Sequence, residues 1–395
     1  MTWRDITLGE LCAEGGGGVQ TGPFGSQLHA ADYVLEGIPS VMPQNIGDNI
    51  IDERDIARIT ESDAVRLGKY LLDEGDIVYS RRGDVEKRAL VRAHNAGWLC
   101  GTGCLRVRVG DPRRADARFV SYLLGAPETR AWISRHAVGA TMPNLNTTIL
   151  SSVPLQIPKL LEQRGIAEVL GALDDKIAAN TKLVSTIDAM AHTVFSSVEA
   201  GSSLLPLSGA AEFVNGKAFT KNASGTGRVV VRIAELNSGI GGSTVYSDVE
   251  VEDKHVARAG DILFAWSGSL TLHRWYRDGA IVNQHIFKVI PKAGYPTWLV
   301  FELLRAKLDA FKSIAAEKAT TMGHIQRRHL DEPVPVPVPE DVARIGEAMD
   351  GLWQRALAAE RESLTLAETR DTLLPELMSG GLRVKDVEKK VEEVV

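Results

Sequence analysis

The chain has 395 residues, 44% hydrophobic and 24% charged, and a formal net charge of −6 at pH 7. That length favours two or more domains. The composition is that of a globular chain, not a disordered one. The charge excludes a protein coated in positive residues but leaves room for a local basic face.

No run of 18 apolar residues occurs, so no membrane span is expected. The charged, amphipathic start MTWRDITLGELC lacks the apolar centre of a signal peptide. The three cysteines, Cys12, Cys100 and Cys104, form no CxxC pair, which opposes a disulfide scaffold or a structural zinc. Cys100, Cys104 and His94 can be drawn as a metal site, but small apolar residues on strands are the better reading. A cytoplasmic protein with no metal and no cofactor is the expectation.

Residues 1–158 read as one mixed domain. Turn signals at 15–18 (GGGG), 21–26 (TGPFGS), 36–39 (EGIP) and 81–84 (RRGD) separate short apolar runs. The runs Ile38–Val41, Asp76–Tyr79, Leu90–Ala93 and Cys104–Val109 are expected as strands. One helix is expected over Ala117–Arg135, with Phe119, Leu123, Leu124 and Trp132 on a single face. VPLQIP at 153–158 is held extended by its prolines.

Residues 159–200 are expected to form a long helix. Its seam runs Ile166, Leu170, Leu173, Ile177, Asn180, Val184, Ile187, Ala191, Val194 and Val198, in steps of four and three. That heptad pattern reads as a coiled coil roughly 55 Å long. Such a helix needs a partner. After a second mixed domain at 201–339, with a late helix Thr297–Ile314 and a closing VPVPVP at 334–339, residues 340–380 supply one. Their seam is Val342, Ile345, Met349, Leu352, Ala356, Ala359, Ser363, Leu366, Arg370, Leu373 and Leu377. Ser363 and Arg370 are its polar departures, and residues 381–395 form a charged tail.

The chain is therefore a duplicated module, domain–helix–domain–helix. GDIVYSRRGD (75–84) answers GDILFAWSGS (260–269), ATMPNL (140–145) answers TTMGHI (320–325), and VPLQIP answers VPVPVP. GIPSVMPQNIGDNI (37–50) sits opposite GRVVVRIAELNSGI (227–240). The period is far too long for a solenoid. The fold class expected is α+β: two tandem mixed α/β domains, separated by a long antiparallel coiled coil of two helices, with a pseudo-two-fold axis. Two similar heads on one spacer suit a target of two different half-sites, and about 55 Å corresponds to about 16 base pairs.

The duplicated plan, the two GDI segments, the proline straps, EQRGIAEVLGALDDKIAAN (162–180) and the ending ETRDTLLPELMSGGLRV (368–384) resemble the specificity (S) subunit of type I restriction–modification enzymes. The resemblance covers nearly the whole chain. It implies two target-recognition domains, each reading one half of a bipartite double-stranded DNA site. It also implies conserved spacer helices that dock methyltransferase (M) subunits, two of them, and restriction (R) subunits that join that core. The S subunit is then not catalytic.

Base and phosphate contact calls for Arg, Lys, Asn and Gln. Residues 66–114 hold eleven basic and six acidic residues, a net of +5. Gln27, Gln44, Asn45, Lys69, Arg81, Arg82 and Arg88 are the candidates in the first domain. Lys217, Lys221, Arg232, Ser267, His273 and Arg274 are those in the second. Residues 340–379 carry nine acids and four arginines and suit a protein partner rather than phosphate.

Two rival readings exist. One is an enzyme, which the absence of a GxxxxGK[ST] loop and of an NPPY- or DPPY-like tetrapeptide opposes. Glu252–Asp253–Lys254 has the bare spacing of a nuclease cluster but reads as a charged turn. The other is a coiled-coil adaptor, not binding DNA, whose two heads hold proteins.

Overall fold

The computed structural model describes residues 3–139, 141–198, 203–221, 223–317 and 323–386. Two compact units emerge: Met1–Asp175 with Ala367–Val395, and Lys176–Leu366. Among the described residues no helix is long and apolar enough to cross a membrane.

In the first unit β1 (Arg4–Thr7) leads into α1 (Leu8–Glu14) through a reciprocal cap. Thr7 Oγ1 accepts the Glu10 N–H at 3.3 Å, and the Glu10 carboxylate accepts the Thr7 N–H at 2.9 Å. Then come β2 (Gly16–Thr21), β3 (Ile38–Val41), β4 (Asp48–Asn49), β5 (Ile77–Ser80), β6 (Arg88–Leu90), β7 (Leu99–Cys100) and β8 (Cys104–Gly110). One sheet has the order β2-β8-β5-β6-β4; β3 pairs with β7 in another. Strand alternation places Val78 among Val41, Ala89, Cys100 and Cys104. The neighbouring Tyr79 turns the other way, its hydroxyl donating to Leu124 O.

The helix expected over 117–135 is two helices, α2 (Ala117–Gly125) and α3 (Pro127–His136). Pro127 starts the second and holds Ala126 extended. Trp132 consequently leaves the core and stacks on His136, while Ile133 is buried. β9 (Pro154–Ile157) closes the unit by pairing with β1.

The second unit repeats this plan with β10 (Ser203–Pro206), α4 (Leu207–Ala210), β11 (Ala211–Asn215), β12 (Arg228–Val231), β13 (Ile262–Ala265), β14 (Thr271–Arg274), β15 (Ala280–Val282), β16 (Ile286–Pro291), α5 (Thr297–Glu317) and β17 (Pro333–Val336). Its main sheet runs β11-β16-β13-β14, matching the first four strands of the other. Ile262 and Phe264 pack on Trp298, Leu303 and Phe311, whereas Leu263 and Ala265 face Val231 and Trp275.

The GDI segments owe their likeness to one device. Gly75 and Gly260 turn at φ of 85° and 93°, and the next residue, Asp76 or Asp261, accepts the N–H of Asp73 or Arg258. The same carboxylates hold a cation from the adjacent strand: Arg108 at 2.6 Å from Asp76, Lys288 at 2.9 Å from Asp261. The proline straps match in a different register from that expected. Pro154 opposes Thr7 and Pro333 opposes Pro206, so Leu155 and Ile157 answer Val334 and Val336, all four buried. Val338 belongs to no strand, because Pro339 already opens the last helix.

The long helices are α6 (Leu160–Ser196) and α7 (Pro339–Ser379). In the first unit the Gly165 position lies against Val384 and Asp174 meets Arg370, so the segments run antiparallel. Ile166, Leu170, Leu173, Leu373 and Leu377 are buried there. In the second unit Asn180 meets Glu362, while Ile187 and Ala191 share a cavity wall with Met349 and Leu352. Asn180, Ile187, Ile345, Met349 and Leu366 are buried; Ile177, Val184 and Leu352 are half-buried. The apolar face is wider than the seam: Trp353, Leu357 and Met378 are buried as well. Trp353 packs edge-on against Phe301 of α5, so α7 buries its face on the domain as well as on α6. Residues 387–395 of the expected tail, and Ala140, Thr320, Thr321 and Met322 of the ATMPNL and TTMGHI motifs, lie outside the described residues.

Candidate nucleic-acid interface

Each unit gathers three loops at one end of its main sheet by the same set of backbone hydrogen bonds. In the first unit Arg81 N donates to Gly103 O (2.9 Å), Leu145 N to Arg81 O (2.8 Å) and Gly83 N to Pro143 O (3.1 Å). In the second, Trp266 N donates to His285 O (3.1 Å), Ile325 N to Trp266 O (3.1 Å) and Gly268 N to Gly323 O (2.8 Å). A fourth strand end joins each set, through Gly22 N to Cys104 O and Gly216 N to Ile286 O, both 2.9 Å. Single bridges link Arg82 to Asn144 and Ser267 to His324. Positions 81, 82, 102, 103 and 144 of one copy thus correspond to 266, 267, 284, 285 and 324 of the other.

The frame is shared and the side chains on it differ. In the first unit Arg82 is exposed and Arg81 half-buried, and neither has an ion-pair partner among the described residues. Arg81 Nε is buried without a hydrogen-bond partner there. Val138, 63% exposed, exchanges two backbone hydrogen bonds with Asn144, and Met142 is 60% exposed. Gln44 is exposed on the loop whose Pro43 touches the Gly103 position. Guanidinium, amide and apolar groups together match phosphate oxygens, purine edges and thymine methyls. In the second unit Trp266 is half-exposed. Its Nε1 donates to Asn215 Oδ1 at 2.8 Å, and its ring lies 5.1 Å from that of His285. Gln284 is exposed beside them.

The remaining sequence candidates divide by burial. Lys69 and Lys221 are exposed; Lys69 lies over the Tyr70 ring. Gln27 Oε1 accepts from Tyr70 Oη and Phe24 N. Asn45 is buried, accepting from Met42 N and donating to Asp52 O. Its counterpart is Glu235, which accepts from Arg232 N and clasps the Arg232 guanidinium at 2.5 Å. Arg88 is buried, bonded to Ser121 O and Asp48. Arg274 is buried between Glu360 and Asp188, 5.0 Å from the Trp353 ring. His273 is half-buried, and burial pushes its imidazole pKa down. Ser267 is buried in the frame. Asn45, Arg88, Ser267 and Arg274 therefore serve the fold, because their polar atoms are enclosed and engaged.

Lys217 bonds Glu252, whose carboxyl is drawn down to about 2 by Lys254 and Lys217. Among the described residues no acid, histidine and cysteine group suits a metal ion. Cys100 and Cys104 are buried on strands, and burial pushes the Cys100 thiol up to about 12. The basic segment 66–114 is largely neutralised. Arg66 pairs with Asp63, Arg92 with Asp175, Arg108 with Asp76 and Arg113 with Asp111. The sequence does not single out Val138, Met142 or Gln284, and His285 reads there as an ordinary hydrogen-bonded histidine. Their places beside the loop frames become visible only when the two sets of hydrogen bonds are compared, and His285 Nδ1 has no hydrogen-bond partner among the described residues.

The family model for the type I restriction modification DNA specificity domain matches residues 2–189 and again 205–366. Among solved structures, the S subunit of a type I restriction–modification system from M. genitalium is 17% identical, with 95% of this chain and 96% of that chain covered and a TM-score of 0.55. The HsdS subunit from Thermoanaerobacter tengcongensis is also 17% identical, covering 96% and 97%, at a TM-score of 0.36. No curated protein matches the chain. The first likeness shows the fold, and the twofold match over most of the length shows that the chain belongs to the family of type I restriction modification DNA specificity proteins.

Proposed function

We propose that this chain is the DNA sequence-specificity subunit of a cytoplasmic type I restriction–modification complex. Each recognition domain reads one half of a bipartite site on double-stranded DNA. The helices α6 and α7 fix the gap between the halves and dock methyltransferase subunits, two per chain, to which restriction subunits add. Methyl transfer and ATP-dependent cleavage belong to those partners. The observation that carries the reading is one loop frame built twice with different side chains on it, Arg81 and Arg82 against Trp266 and Ser267. A shared frame with unlike residues suits two unlike half-sites. An adaptor for two proteins has no such need for an exposed Arg82 and a half-buried Arg81, neither with an ion-pair partner among the described residues.

The test is to map methylated bases in cells with and without the gene. A gapped, bipartite motif should lose its methylation when the gene is removed. Unchanged methylation, or DNA methylation or cleavage by the purified chain alone, overturns the proposal.

A further inference from the structure

Gly103 and His285 hold the same place in the two loop frames, each accepting the N–H that follows the central strand. Both adopt left-handed backbone, with φ of 83° and 73°. Glycine reaches that region freely, whereas a side chain with a Cβ does so at a cost. The second unit keeps a histidine where the first shows that glycine suffices. A second cost falls on the same residue, because His285 Nδ1 is buried with no hydrogen-bond partner among the described residues. Folding alone gives no reason to retain both.

The surroundings supply one. Trp266 stands 5.1 Å from the His285 ring and is itself fixed by Phe287 and by its bond to Asn215, so the imidazole has a rigid backing. Gln284, the preceding residue, is exposed, and its backbone is pinned by donation to Lys217 O at 2.9 Å. A glutamine amide matches the N6 and N7 edge of adenine, and an imidazole can donate to or accept from a purine edge. Backbone strain held beside a fixed aromatic support is the kind of feature found at recognition sites.

We infer that Gln284 and His285 are the base-reading pair of the second recognition domain, with Trp266 as their positioning residue. This rests on the proposed role as a specificity subunit and adds the residues that decide one half-site.

The experiment uses the assembled methyltransferase complex with wild-type chain, His285→Gly or Gln284→Ala, and reads the methylated motif by sequencing together with the melting temperature. The second half-site is the one that survives replacement of residues 1–158 by another family member's domain. His285→Gly should melt no lower than wild type, because the strain is gone. It should nevertheless accept mismatches in the second half-site about tenfold more often, or better, with the first half-site intact. Gln284→Ala should relax the same half with its melting temperature unchanged. An unaltered motif in both variants overturns the inference, as does loss of both halves together with lowered melting. A wild-type complex with no preferred motif at all sinks the parent reading instead, and the wild-type arm reports that separately.

Discussion

Arg370 donates to Asp174 at 2.8 Å across the antiparallel helix segments of the first unit. By heptad position Arg370 belongs to an apolar seam, yet its charge is met: Asp48 lies 3.2 Å from its other nitrogen. Burial works against the guanidinium, but Asp174 and Asp48 outweigh it and raise its pKa. Tyr122 donates to the second oxygen of Asp174, so the carboxylate is fully engaged. Arg370→Ala strands a buried carboxylate and is expected to cost about 3 kcal/mol. Adding Asp174→Asn should recover part of that, since the orphaned charge is gone while Tyr122 keeps an acceptor. Urea unfolding at constant m-value checks both. A loss under about 1 kcal/mol for Arg370→Ala would show the pair contributes little.

How much of this was legible in the sequence depends on the range of the interaction. The seams of α6 and α7 follow from spacing, because residues three and four apart share a helix face whatever lies beyond. The duplication was legible because identical turn chemistry recurs at Gly75–Asp76 and Gly260–Asp261. The Pro127 break shows the limit of periodicity: Trp132 fits the helical face by count, but the proline at 127 holds Ala126 extended and starts a new helix, so the count does not carry across. Site residues were least legible. Arg81 and Arg88 look alike as letters. One follows a strand end, half-buried where its backbone meets two other loops, and the other lies under Gly125, where its guanidinium occupies the space a Cβ would need. Only long-range packing distinguishes them.

Asp48 gives the first unit an acid sensitivity. Although partial desolvation by the groups around it opposes ionisation, Arg88 and Arg370 hold its pKa below the ordinary value of 3.8. A carboxyl with a depressed folded-state pKa stabilises above its unfolded value, and that contribution is lost as the pH falls through the folded value. Melting temperature should therefore drop more steeply for wild type than for Asp48→Asn as the pH is lowered from about 4 towards 2. Parallel curves would remove Asp48 from the account.

Asn180 donates to Glu362 at 2.8 Å in the second unit, and Lys176 lies 3.4 Å from the same carboxylate. A buried asparagine in a helix seam fixes register at some cost in stability. Asn180→Leu leaves Glu362 its lysine and should raise stability by about 1 kcal/mol in chemical unfolding. Destabilisation of that size would mean the amide contributes more than a buried leucine can.

Arg82 and Arg81 should separate in a salt titration of the assembled complex on its own motif. Arg82 is exposed, with no ion-pair partner among the described residues, the disposition of a phosphate contact. Each phosphate that the protein ceases to neutralise lowers the slope of log affinity against log salt by about 0.9. Arg82→Ala should therefore weaken binding on all sequences alike and reduce the slope by about that amount. Arg81 is half-buried with Nε enclosed, so its direction is fixed by packing, as a base contact requires. Arg81→Ala should leave the slope nearly unchanged and relax one position of the first half-site. If neither variant alters affinity, slope or motif, the first loop frame does not face DNA.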